Sequence, residues 1–242
     1  MKDKLIVALD VDTMDEVDRL VGLLKDDVGM FKIGMQVYNS LGSGVISRVK
    51  DAGGGIFLDL KLHDIPNTVA QTVRVLTRLG VDIINVHASG GRAMMEEASR
   101  AAAEEAVKLD IRPPLVIAVT ILTSLGEEDM ADIGYGGKPQ DMVRRLATLA
   151  KEAGMDGVVC SPLEASLVRE QCGPDFVTVT PGVRPATAQV GDQKRIMTPG
   201  RAIESGSHYL VVGRPITGAA DPREAAQAIV KEMEEATHAD TK

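Results

Sequence analysis

Gly55-Ile56-Phe57-Leu58-Asp59-Leu60-Lys61-Leu62-His63-Asp64-Ile65-Pro66-Asn67-Thr68 changes character abruptly at Asp59. Its start, bounded on the left by Gly53-Gly54-Gly55, has the composition of a strand buried on both faces. Side chains two apart on an extended chain face the same way, so Asp59 and Lys61 are expected side by side. Burying a carboxylate and an ammonium costs several kcal/mol per ion unless they pair, so charges at the end of a core strand need a reason. Pro66 suits the first position of a helix, where a missing N–H does no harm. Val69, Val73 and Leu76 follow at helical spacing, and Gly80 suits the stop. Asp64 then falls on the loop between strand and helix. Taken alone, this is one β-to-α junction with a structural ion pair.

The same alternation recurs outward in both directions. Short apolar runs lie at Leu5–Leu9, Met30–Ile33, Ile56–Leu58, Ile83–Val86, Leu115–Val119, Gly157–Cys160, Phe176–Val179 and Tyr209–Val212. Amphipathic segments separate them, among them Met14–Leu24, Gly44–Ala52, Ala93–Leu109, Pro139–Ala153 and Pro162–Gln171. Strands alternating with helices imply right-handed crossovers and parallel pairing. Eight such units in 242 residues predict a single (β/α)8 TIM barrel spanning 1–242, fraying from about 237 to 242. A doubly wound open sheet would want a Gly-x-Gly-x-x-Gly turn after the first strand, and none is there. No short internal repeat stands out beyond the βα alternation.

Composition narrows the class further. The chain is 44% hydrophobic but only 2% aromatic, with no Trp, so its core is built from small and branched aliphatics. Such a core suits a parallel sheet covered by helices. A formal charge of −8 without a Lys/Arg run argues against a nucleic-acid partner. No apolar run approaches the roughly 18 residues of a membrane span, and Leu5–Leu9 is too short for a signal peptide. Cys160 and Cys172 lack metal-ligand spacing and read as reduced packing residues of a cytoplasmic protein.

Polar residues close each apolar run or come just after it. Asp10 ends the first, Lys32 sits near the end of the second, and Asp59 and Lys61 end the third. His87, Thr120 and Thr123, Ser161, Pro181 to Arg184, and Gly213-Arg214 come after the others. In a parallel barrel these groups converge on the C-terminal mouth, where barrel active sites lie. Carboxylates on either side of each lysine hold the ammonium charged and fix its direction. Such a lysine can stabilise developing negative charge and then deliver a proton. A Schiff-base lysine wants a neutral, desolvated amine, which Asp59 and Asp64 oppose. A divalent ion wants oxygen ligands free of ammonium groups, so no metal is expected. Gly213 and Arg214 after the last strand suit a phosphate, and the loop from Pro181 to Pro199, carrying Arg184 and Gln193, suits a lid. His87 is either a hydrogen-bond partner beneath the charges or a packing residue, while His63 and His208 read as structural or solvent-facing. The residues alone therefore point to a barrel enzyme acting on a phosphorylated substrate through a charged lysine.

Asp59-Leu-Lys-Leu-His-Asp-Ile-Pro-Asn-Thr68 also resembles the signature of the bacterial orotidine 5′-phosphate decarboxylase family. Val7-Ala-Leu-Asp10, Phe31-Lys32-Ile-Gly, Val86-His-Ala-Ser-Gly-Gly91, Leu122-Thr-Ser124, Thr180-Pro-Gly-Val-Arg184 and Val212-Gly-Arg-Pro215 keep the family's order. A lone Asp-x-Lys-x-x-Asp is shared with hexulose-phosphate synthases and ketogulonate-phosphate decarboxylases, so the full set carries the resemblance. It implies cofactor-free conversion of orotidine monophosphate to uridine monophosphate in pyrimidine synthesis. It also implies Lys61 as proton donor to C6, Asp59 against the departing carboxylate, and Lys32 and Asp64 completing the array. Asp10 resembles the ribose ligand, Thr123 a pyrimidine contact, and Arg184, Gln193, Gly213 and Arg214 the lid and phosphate contacts. Asp64, Ile65 and Thr68 resemble residues that reach a neighbouring subunit's site, which implies a homodimer. A magnesium-dependent sugar-phosphate lyase on the same barrel and a non-catalytic phosphate-ligand binder are the alternatives.

Overall fold

The computed structural model describes residues 1–185 and 197–239. Eight parallel strands close on themselves in chain order, β1 pairing with both β2 and β8. They are β1 (Leu5–Ala8), β2 (Met30–Gly34), β3 (Gly55–Leu62), β4 (Ile83–His87), β5 (Leu115–Val119), β6 (Gly157–Val159), β7 (Val177–Thr180) and β8 (Tyr209–Val212). The helices through the fifth crossover are α1 (Met14–Leu24), α2 (Met35–Leu41), α3 (Gly44–Asp51), α4 (Pro66–Arg78), α5 (Arg92–Leu109), α6 (Glu127–Asp132) and α7 (Pro139–Glu152). The remainder are α8 (Ala165–Cys172), α9 (Pro199–Glu204), α10 (Arg214–Thr217) and α11 (Pro222–Ala239). This is the TIM barrel expected from the alternation. Among the described residues no helix is long and apolar enough to cross a membrane.

Strand alternation sorts the apolar residues into two separate cores. Ile6, Ala8, Phe57, Ile83, Ile117, Val179 and Val211 face inward and fill the barrel. Their neighbours Val7, Ile56, Leu58, Ile84, Val116 and Val212 face outward against the helices. With no Trp, the buried members of the inner cluster are aliphatic apart from Phe57, and Met30 and Tyr209 pack against them. Close approach decides the residue at one point: a Cβ on Gly157 would sit 2.1 Å from the Val177 carbonyl oxygen across the β6–β7 ladder.

The N-terminal rim carries a repeat that is not apparent from the sequence. Gly80, Gly154 and Gly206 all have positive φ (68°, 77° and 93°) and end a helical segment. Two residues after each comes an acceptor: Asp82, Asp156 or His208. Each takes a hydrogen bond from the second residue of the preceding strand: Asp82 from Ile56 N–H (2.7 Å), Asp156 from Val116 N–H (2.7 Å) and His208 Nδ1 from Thr178 N–H (3.2 Å). The backbone N–H of each acceptor residue returns a bond to the same residue's carbonyl. The repeat, Gly-x-Asp/His before every second strand from β4 on, satisfies strand-start groups at the face that supplies stability rather than chemistry. Burial raises the Asp156 carboxyl above its ordinary value. Burial likewise lowers the His208 imidazole.

Two boundaries differ from expectation. The third strand continues through Asp59 and Lys61 to Leu62, because the chain stays paired to β4 past a register shift. The last helix runs to Ala239, past Thr237, whose hydroxyl donates to the carbonyls of Met233 and Glu234.

Candidate active site

Inward-facing positions near the C-terminal ends of the first three strands hold charges instead of aliphatics. Lys32 pairs in register with Ala8 on one side and Phe57 on the other, and Gly34 pairs with Asp59. This stacks Lys32 and Asp59 directly above the apolar barrel core. Asp10, just past β1, reaches over to Lys32. The chain of contacts alternates in sign: Asp10 Oδ1 to Lys32 Nζ at 3.3 Å, Lys32 Nζ to Asp59 Oδ2 at 3.5 Å, Asp59 Oδ1 to Lys61 Nζ at 2.7 Å. Gly34 keeps the space open, since a Cβ there would meet Lys32 Nζ at 2.7 Å.

Asp59 is the centre of this array, with its side chain only 12% exposed. Burial pushes its carboxyl up, but the charges of Lys32 and Lys61 and hydrogen bonds from Lys61 and Asn85 outweigh that and hold it below the ordinary value. It is therefore an anion poised between two ammonium groups. Lys61 differs from the side-by-side expectation in how it gets there. Its φ is +55°, left-handed rather than extended, and β3 has left regular register with β4 at this point. Its N–H donates not to a strand carbonyl but to Asn85 Oδ1, at 2.8 Å.

The array floors a cavity of about 560 Å³. Thr123, Ser124, Cys160, Pro181, Gly182, Arg184, Gly213 and Arg214 line its other walls. Asp10, Lys32, Asp59 and Lys61 are thus brought together with Thr123, Arg184, Gly213 and Arg214. Elsewhere in the lining, burial and the like charge of Arg214 hold the Arg184 guanidinium below its ordinary value. Guanidinium groups can take an anion through paired hydrogen bonds, and both of these line the cavity.

Other expected residues lie elsewhere. Asp64, Ile65 and Thr68 are exposed and do not line the cavity of their own chain; Asp64 Oδ1 instead accepts from the Ile65 N–H at 2.7 Å. Gln193 lies outside the described residues, as does the middle of the expected lid. Thr120 and Ser161 are engaged by backbone groups: the Thr120 hydroxyl donates to the Val159 carbonyl on the neighbouring strand, and Ser161 Oγ accepts from Leu163 N–H. His87 packs its ring 5.5 Å from that of His63, and burial followed by the charges of His63 and Lys61 lowers its pKa. Neither cysteine is in a disulfide, both are buried, and Cys160 forms part of the cavity wall. Sequence reasoning passed over Asn85, although an amide inside the apolar run Ile83–Val86 is a signal, since buried polar groups need partners.

Comparison with known proteins agrees along nearly the whole chain. The family model described as orotidine 5′-phosphate decarboxylase / HUMPS family matches residues 3–229. The orotidine 5′-phosphate decarboxylase of Moorella thermoacetica is 52% identical over 234 residues, covering 96% of this chain and 93% of that protein. That of Syntrophomonas wolfei is 49% identical over 236 residues, covering 97% and 99%. Among solved structures, the orotidine 5′-phosphate decarboxylase from Lactobacillus acidophilus superposes with a TM-score of 0.84 at 39% identity, covering 95% of this chain and 98% of that one.

Proposed function

This chain belongs to the orotidine 5′-phosphate decarboxylase / HUMPS family, and on that footing we propose that it converts orotidine 5′-monophosphate to uridine 5′-monophosphate and carbon dioxide, a step of pyrimidine biosynthesis. The observation that supports the reading best is the buried Asp59 anion held between Lys32 and Lys61 in a cavity that Arg184 and Arg214 also line. A nucleotide with its ring over the lysines and its phosphate at the arginines matches that distribution of charge.

The chemistry asks for such a floor. Breaking the C6–carboxylate bond sends its electron pair into an orbital in the ring plane, where it cannot delocalise into the π-system. Stabilisation must come from outside, and the Lys61 ammonium supplies it before passing a proton to C6. Asp59 faces the substrate carboxylate and repels it, and that repulsion fades as neutral carbon dioxide leaves. Lys32 balances Asp59, so the array stays near neutral overall. Asp10 takes a ribose hydroxyl, Thr123 the pyrimidine edge, and Gly213, Arg214, Arg184 and Gln193 the phosphate. Binding energy from the remote phosphate can be spent on holding the reacting ring in place. No metal or cofactor enters these steps.

The working unit in this reading is a homodimer of single-domain barrels. Asp64, Ile65 and Thr68 of one copy complete the array of the other, which accounts for a 66% exposed isoleucine beside an active-site motif. The reading places the protein in the cytoplasm, in keeping with two cysteines that form no disulfide. The test is a spectrophotometric assay with orotidine monophosphate: steady loss of orotate absorbance, undiminished in chelator. Absence of turnover sinks the decarboxylase reading, and loss of turnover in chelator points to the magnesium-dependent relatives. Lys61→Ala should keep the fold and abolish turnover; near-normal turnover would remove Lys61 from its role.

A further inference from the structure

Asn85 sits in the middle of β4, fully buried, at the place where β3 departs from it. The ladder pairs Leu58 with Ile84 and next pairs Leu62 with Val86. Four steps along β3 are therefore matched by two along β4, and Asn85 alone stands opposite Asp59, Leu60 and Lys61. Its side chain supplies what the interrupted ladder lacks. Oδ1 accepts from the Lys61 backbone N–H at 2.8 Å, and Nδ2 donates to Asp59 Oδ1 at 2.7 Å. The same Asp59 oxygen takes Lys61 Nζ at 2.7 Å.

The amide orientation is dictated by its partners. A backbone N–H can only donate and the Asp59 carboxylate accepts, so oxygen must face Lys61 and nitrogen must face Asp59. One buried amide thus holds both ends of the contact on which the proposed chemistry depends. It also holds Lys61 in a left-handed backbone conformation, which among the described residues only one other non-glycine shares, the helix-capping Asp110. Left-handed backbone at a non-glycine persists where the surroundings over-determine it.

We infer that Asn85 is a positioning residue for the reaction: it clamps the β3 bulge so that the Lys61 ammonium is held against Asp59 and aimed at the reacting carbon. This rests on the decarboxylase reading above. Asn85 does not line the cavity, so it acts through Lys61 and Asp59 and not on the substrate.

The experiment compares wild type with Asn85→Ala and Asn85→Asp by kcat on orotidine monophosphate, Kd for uridine monophosphate, thermal midpoint and pH profile. Misplacing a reacting group by about 1 Å costs on the order of 100-fold in rate, so Asn85→Ala is expected to lower kcat about 100-fold. Uridine monophosphate, held by its ribose and phosphate, should bind within about threefold of wild type. Asn85→Asp keeps the side-chain volume and serves if the alanine variant does not fold. Its new carboxyl can accept from the Lys61 N–H, but when ionised it opposes Asp59 instead of donating to it. When protonated it donates as the amide did. Its kcat relative to wild type should therefore rise as pH falls, a trend that a merely structural role does not produce. Unchanged kcat in a folded variant overturns the inference. So does a parallel loss of kcat, uridine monophosphate affinity and thermal midpoint with a pH-independent ratio. Wild type that does not turn over orotidine monophosphate overturns the decarboxylase reading itself, a result distinct from either.

Discussion

Replacing Lys61 by glycine and, separately, by alanine isolates the backbone strain at the site. Both substitutions remove the same ammonium from Asp59, so the loss of the ion pair cancels in the comparison. What differs is the cost of φ = +55°. A side chain with a Cβ pays about 1–2 kcal/mol in the left-handed region. Glycine avoids that cost but loses about 0.5–1 kcal/mol more conformational entropy on folding. At the centre of these ranges the net favours glycine by about 0.75 kcal/mol, which for a chain of this size is about 1.5–3 °C in thermal midpoint. Thermal unfolding of both variants, followed by circular dichroism in one buffer and at one scan rate, reads this directly. The glycine variant should melt higher while neither turns over orotidine monophosphate. An alanine variant that melts at or above the glycine one would refute a left-handed Lys61, and with it the reading of Asn85 as a clamp on a strained bulge.

Arg214→Ala should weaken binding far more than turnover at saturation. Loss of a charged hydrogen-bonding group costs about 1.5–3 kcal/mol, or about 10- to 150-fold in KM and in Kd for uridine monophosphate. Unchanged constants would remove Arg214 from the phosphate site. His208 predicts acid sensitivity of the fold. Its Nδ1 accepts from the Thr178 N–H and its Nε2 donates to the Pro174 carbonyl at 3.0 Å, a pattern that requires the neutral ring. Burial is the main cause that lowers its pKa, so the stability it contributes is complete above the unfolded value of 6.5 and is lost as pH falls through the lower folded value. His208→Gln, which does not take up that proton, should show a flatter fall in thermal midpoint between about pH 7 and pH 5. An equally steep fall would mean that other groups carry the transition.

Much of the site was legible because barrels convert position along a strand into position in space. Lys32 near the end of β2 and Asp59 near the end of β3 had to meet once the strands were parallel and adjacent, and they do, at 3.5 Å. Residues at loops were less legible. Thr120 and Ser161 carry the right atoms at the right strand ends, yet their hydroxyls are bound by backbone groups, one across the β5–β6 pair and one two residues on. Cys160, read as packing, shapes the cavity wall. The Gly-x-Asp/His repeat is hidden in the sequence because three residues at uneven spacing carry no periodic signal. It becomes visible only when strand-start N–H groups are traced to their acceptors.

Sequence by itself determined the alternation of apolar runs and amphipathic segments, hence a parallel (β/α)8 barrel, and the charges gathered at one end of it. These are consequences of local periodicity and connection length, which can be counted along the chain. Only the tertiary structure decided the β3 bulge, the left-handed Lys61, the amide of Asn85 that spans both and the outward turn of Asp64, Ile65 and Thr68. The physical reason is register. Asn85 meets Lys61 and Asp59 from 24 and 26 residues away, and which atoms face each other across that gap depends on how one strand slides against the next.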